Sequence, residues 1–161
     1  MEKGVKPSRI VIGGFSQGGA ISLFTGITNK EKLGGVFGLS CYLLLSDRIK
    51  NLIPEEWPNK KTPFFLAHGT DDSVVPYAFG SLSSKAIKDL GVEDVDFHSY
   101  RCVFFLFPLA PLLIFSWSGS SNDSSTSGLD HGADPEEIGD LEHFLEKTIP
   151  PEEDGGPSAG L

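Results

Sequence analysis

The chain has 161 residues, 39% of them hydrophobic, with 22 acidic against 13 basic side chains and a formal net charge of −9. That balance argues against nucleic-acid binding, which leans on a basic footprint over phosphates, and it leaves no Lys/Arg cluster for anionic lipid. Cys41 and Cys102 are too few for a disulfide framework, and "MEKGVKPSRI" has no apolar run of the secretory kind, so a reducing, cytoplasmic setting is expected.

Taken in chain order, residues 9–14 read as a short buried strand that ends in two glycines. Ala20 to Thr28 then read as helix, and the apolar run 34–44, "GGVFGLSCYLL", is a second strand candidate. Prolines 54, 58 and 63 break the polar stretch 46–63 into a surface helix fragment and loop. Phe64 to Ala67 predict a buried strand, followed by a loop that runs to Pro76. In 79–91 Leu82, Ala86 and Leu90 recur every four residues, Lys85 and Lys88 face outward, and Gly91 is the stop. "VDFHSY", 95–100, alternates as a strand does. The clearest helix is 134–150, with Asp134 as N-cap, Pro135 at the first position and Glu137 three after the cap. Its apolar face is Ile138, Leu141, Phe144 and Leu145. Strands alternating with helices predict an α/β fold with a mainly parallel sheet flanked by helices.

Residues 101–127, "RCVFFLFPLAPLLIFSWSGSSNDSSTS", break this rhythm. The apolar half is shorter than the roughly 20 residues that span a bilayer. Pro108 and Pro111 interrupt any strand ladder there. The domain is therefore expected over 1–150, with 101–127 as an atypical disordered insertion that reads as a translated intron or splice variant. Residues 151–161 form a disordered tail.

The chemistry gathers around Gly14-Phe15-Ser16-Gln17-Gly18. An apolar strand before this pentapeptide and a helix after it are the context of a nucleophile elbow, with Ser16 on a sharp strand-to-helix turn. Glycines two before and two after the serine let strand and helix approach. A serine nucleophile needs a base, and the base needs an orienting carboxylate; here the chain order is Ser, then Asp or Glu, then His. Asp71 and Asp72 both follow the strand "FFLAHG", where an acid projects from its C-terminal edge. Of the four histidines, His68 follows a strand directly, and a ring bonded to its own loop is the plain reading. His98 lies inside an alternating strand, and His143 on the surface of the last helix. His131 alone lies on a loop before a helix, where catalytic bases tend to sit.

"GGFSQGGAISL", "LSCYLLL", "TPFFLAHGTDDSVVP" and "GLDHGADPEEIGDLEHFLEK" resemble the acyl-protein thioesterases, also called lysophospholipase-like carboxylesterases. The resemblance covers nearly all of 5–100 and 128–150 and implies an incomplete α/β-hydrolase fold. It implies a triad of Ser16, Asp72 and His131, choosing Asp72 because the acid is the third residue after Gly69. It further implies Gln17 as a backbone oxyanion donor, with Tyr42 and Leu43 as a wall of the acyl site, where ordinary packing is the competing reading. The implied substrates are S-acylated (palmitoylated) proteins or lysophospholipids, with transient membrane-surface contact, no nucleic acid, no metal and no cofactor, in the cytoplasm and nucleus.

The pattern departs from the family in two places. Strands and a His-Gly-x-Gly loop expected before the elbow do not precede Ser16, so an N-terminal truncation is expected. The segment 101–127 separates Tyr100 from the Gly-x-x-His motif at 128–131. The leading expectation is a serine hydrolase of acyl thioesters and esters. A lysophospholipase or general carboxylesterase, and a catalytically impaired truncated product, stand as alternatives.

Overall fold

The computed structural model describes residues 4–101 and 131–151. The expected insertion and tail lie outside them, apart from Arg101 and Pro151. The elements are β1 (Val11–Phe15), α1 (Gln17–Thr28), β2 (Gly35–Leu39), β3 (Phe64–Gly69), α2 (Tyr77–Leu90), β4 (Val95–Tyr100) and α3 (Pro135–Thr148). Short 3-10 turns occupy Ile49–Leu52 and Pro58–Lys61 between β2 and β3.

Among the described residues the strands form one sheet of order β1-β2-β3-β4. Every neighbouring pair is parallel, with Val11 opposite Gly35, Val36 opposite Phe64 and Phe64 opposite Val95. Parallel strands need crossover connections, and α1 and α2 provide two of the three. Side chains alternate between the faces. Val36, Phe64 and Leu66 meet Leu23 and Ile27 of α1 and Ile87 of α2. Leu39, Phe65, Ala67 and Tyr100 meet Phe144 of α3 on the opposite face. The α/β expectation therefore holds, as three layers. Strand β3 is buried along its whole length, which explains its apolar run Phe64–Ala67.

Several local expectations need correction. The first strand is not buried: it is half-exposed, and among the described residues β1 has only β2 beside it. The second strand stops at Leu39 rather than running to 44, because Ser40 turns the chain with φ 44°. In α2 the packed residues are Gly80, Ser83, Ser84 and Ile87, while Leu82 is 62% exposed. Small residues let this helix approach the sheet closely, and Ser83 is satisfied by donating to the Phe79 carbonyl and accepting from the Leu43 N–H. In α3 Phe144 is buried, but Ile138 is 47% exposed. The cap of α3 is as expected: Asp134 Oδ1 accepts from Glu136 N–H at 2.8 Å, and Glu137 Oε2 accepts from Asp134 N–H at 3.1 Å. Gly91 ends α2 in the left-handed region, with φ 107°.

Candidate active site

Ser16 sits between β1 and α1 with φ 53° and ψ −123°, a backbone conformation that L-residues rarely hold. Such strain costs on the order of 1–3 kcal/mol and persists only where the surroundings enforce it. Here the Ser16 N–H donates to the Leu39 carbonyl at 2.8 Å, and the Ser16 carbonyl accepts from Ala20 N–H at 3.0 Å. The close approach of strand and helix uses Gly14 and Gly19. A Cβ at Gly14 would lie 2.8 Å from the Gly18 carbonyl carbon, and one at Gly19 would lie 2.6 Å from the Gly14 oxygen. A Cβ at Gly18 would meet nothing, so the second glycine of the motif is not the one that packs. Gln17 opens α1 and is exposed, so its N–H is one of the first-turn donors without an intrahelical partner.

The acid stands on the loop after β3. Asp72 is buried and Asp71 is exposed, so the structure brings Asp72 to the site. Asp72 Oδ1 accepts from Val74 N–H at 3.0 Å and Val75 N–H at 2.8 Å. Its Oδ2 accepts from His131 Nδ1–H at 2.8 Å. Burial alone would raise the Asp72 pKa; the His131 hydrogen bond, the Val75 and Val74 amides and the nearby His131 charge more than offset it, and the net direction is down.

His131 is presented by the docked start of α3. Phe144 stacks on Phe65 with ring centroids 5.4 Å apart, and Tyr100 donates its hydroxyl to Asp140 at 2.6 Å. These contacts fix the helix against β3 and β4. The His131 ring packs on Phe15, the residue before Ser16, at 4.5 Å between centroids. With Nδ1–H committed to Asp72, the lone pair is on Nε2. That atom is buried and has no hydrogen-bond partner, so the Ser16 hydroxyl is not bonded to it here. The structure thus joins Asp72 to His131 and sets His131 beside the elbow.

Other expectations resolve differently. Leu43 belongs to the buried core, and its N–H is bound by Ser83, so packing is the role its position gives it. Tyr42 beside it is 37% exposed. His68 does bond its own loop, through Nε2 to the Val75 carbonyl at 2.7 Å. His98 faces Asp96 and Asp140, and His143 is exposed. The Phe15 contact and the two valine amides were not legible in the sequence; the Asp-x-Val-Val spacing is the only local trace of the latter.

A profile described as Phospholipase/Carboxylesterase matches residues 1–104. The chain belongs to the phospholipase/carboxylesterase family. The match holds Ser16 and Asp72; His131 lies beyond it. Among curated members, the chain is 58% identical to acyl-protein thioesterase 1 of Aspergillus fumigatus over 161 residues, covering all of this chain and 56% of that protein. It is 57% identical to acyl-protein thioesterase 1 of Emericella nidulans over 155 residues, 96% of this chain and 54% of that protein. The fold is similar to that of Arabidopsis thaliana SOBER1, with TM-score 0.68, 27% identity, and coverage of 91% of this chain and 56% of that one. It is also similar to Zea mays acyl-protein thioesterase 2, with TM-score 0.63, 25% identity, and coverage of 85% and 55%. The chain spans about half the length of the curated phospholipase/carboxylesterase relatives it matches.

Proposed function

We propose that this chain carries the nucleophile, base and acid of a serine hydrolase of acyl thioesters and esters, of the acyl-protein thioesterase type. The observation that supports this most is the Asp72–His131 hydrogen bond of 2.8 Å, which leaves Nε2 unpartnered beside the Ser16 elbow. Ser16 Oγ attacks the acyl carbonyl carbon while His131 Nε2 takes its proton. Asp72 holds the Nδ1–H tautomer and stabilises the imidazolium. Collapse of the tetrahedral intermediate breaks the bond to sulfur or oxygen, and His131 returns the proton to that leaving group. Water then attacks the acyl-Ser16 ester, with His131 again as base. Oxyanion charge falls to the Gln17 N–H at the start of α1; one such donor is worth on the order of 10²–10³ in rate.

The relatives named acyl-protein thioesterase 1 favour S-acylated, above all palmitoylated, proteins as substrates. The family description keeps lysophospholipids and simple esters as the second reading. Fluorophosphonate labelling of the folded chain tests the chemistry. Adduct on Ser16 that disappears in Ser16→Ala and His131→Ala is expected; folded protein that takes no label sinks the proposal. Release of thiol from a palmitoyl-cysteine peptide against release of fatty acid and glycerophosphocholine from a lysophosphatidylcholine then separates the two substrate classes.

A further inference from the structure

We propose that His68 is a positioning residue that fixes the Asp72 loop to the sheet and so aims the carboxylate at His131. This rests on the reading of Ser16, Asp72 and His131 given above. The Asp72 carboxylate is clamped by its own loop through Val74 and Val75, but those bonds set only its rotation within the loop. The near end of the loop is tied to β4, where Thr70 N–H donates to the Tyr100 carbonyl at 2.8 Å, and Thr70, Asp71, Ser73 and Val74 are all exposed. At the far end it is His68 on β3 that bonds the loop to the sheet. Its Nε2–H donates to the Val75 carbonyl at 2.7 Å, so Val75 gives its N–H to Asp72 and presents its carbonyl to His68. The same Nε2 lies 3.7 Å from Asp72 Oδ2, the oxygen that receives His131 Nδ1–H.

The ring has no freedom to drift. It is 1% exposed. Helix α2 presses on it at Gly80, where a Cβ would lie 2.2 Å from His68 Nδ1. Tyr77 meets it edge-on at 6.0 Å. A rigid ring on the central strand therefore holds the far end of the loop that carries the acid. An apolar ring in its place would leave the buried Val75 carbonyl unpaired and release that end. Glutamine would keep an N–H at nearly the reach of Nε2.

Three measurements on the full chain decide this. Nitrogen NMR of the wild type is expected to show His68 as the Nε2–H tautomer; a bare Nε2 overturns the proposal. In His68→Phe the downfield His131 Nδ1–H resonance is expected to broaden or vanish. Fluorophosphonate labelling of Ser16 is expected to slow by about 10²-fold, the effect of a misplacement near 1 Å. His68→Gln is expected to restore the resonance and bring labelling to within about tenfold of wild type, since a donor is returned. A folded His68→Phe that keeps both resonance and rate overturns the proposal, as does a His68→Gln that rescues neither. If His68→Phe does not fold, Gly80→Ala, which must displace the ring, carries the same expectations. If the wild type takes no label, the catalytic reading fails, yet the tautomer and the His131 resonance still decide the role of His68.

Discussion

Asp72 and His131 meet in the interior, where side chains 1% and 16% exposed share a hydrogen bond of 2.8 Å. Ser16 stands instead at the end of β1, a half-exposed strand that among the described residues has β2 as its one neighbour. The Asp72–His131 half is held by side-chain hydrogen bonds closed on three sides: the valine amides, His68 behind the loop, and α3 docked through Phe144 and Tyr100. The Ser16 half is held by backbone geometry, namely a strained φ and two glycines under which strand and helix touch. Disturbing charge and tautomer should therefore damage the first half, and disturbing backbone clearance the second.

The largest effect is expected from Asp72→Asn. The amide oxygen still accepts from Val74 and Val75, so the loop keeps its shape. Its NH₂ faces His131 Nδ1, however, and favours the tautomer with the proton on Nε2, where it cannot accept from Ser16. Turnover, or the labelling rate that stands for it, should fall by about 10⁴-fold, far more than the stability lost with the carboxylate charge accounts for. A comparable loss of stability would show that the carboxylate matters mainly to the fold.

Next comes a pair of core truncations that measures the two halves directly. Phe65→Ala removes a 2%-exposed ring from the central strand and the support of Phe144, at a cost of about 3–5 kcal/mol. Ile12→Ala on β1 removes a side chain that already faces water in part, at about 1 kcal/mol. Urea unfolding of both variants checks the ratio, and equal costs would mean that β1 is packed as well as β3. At the elbow, Gly19→Ala sets a methyl 2.6 Å from the Gly14 oxygen and 2.9 Å from Cys41. Backbone must move, at about 1–3 kcal/mol. Gly18→Ala, where the added Cβ meets nothing, should be near neutral in the same assay.

The sequence reveals the elbow because Gly-x-Ser-x-Gly between an apolar strand and a helix is a local pattern. It does not reveal which glycine packs, since that depends on where Gly14 and Cys41 come to rest. It offers Asp71 and Asp72 equally by position after β3, and only the resemblance separates them; the structure does so by burial and by two valine amides. The outward turn of Leu82 was hidden because the packed face of α2 is made, apart from Ile87, of Gly80, Ser83 and Ser84, which carry no hydrophobic signal. The half-exposure of β1 depends on strand order, and no window of residues 9–14 contains it. The His131–Phe15 contact joins residues far apart in the chain, so nothing local announces it.

The smallest change among the substitutions expected to move stability concerns Glu137, under the start of the helix that presents His131. Its Oε1 is buried without a partner, while Oε2 caps the Asp134 N–H. Burial raises its pKa, the Asp134 N–H bond opposes this, and the Asp134 charge adds to the rise. A raised folded value means that its stability contribution is complete below the unfolded value near about 4.3 and is lost as pH climbs through the folded one. Asp72, with its pKa lowered, runs the other way: its contribution is complete above about 3.9 and is lost as pH falls through the folded value. Glu137→Gln keeps an acceptor for Asp134 N–H and removes the charge that must be buried. Its unfolding free energy should match the wild type near about pH 4 and exceed it near about pH 8, by roughly 1 kcal/mol. Denaturant midpoints across that range check this. A gap that widens toward acid would mean that the Glu137 carboxylate is stabilised by its surroundings, and that the seat of His131 is charged rather than neutral.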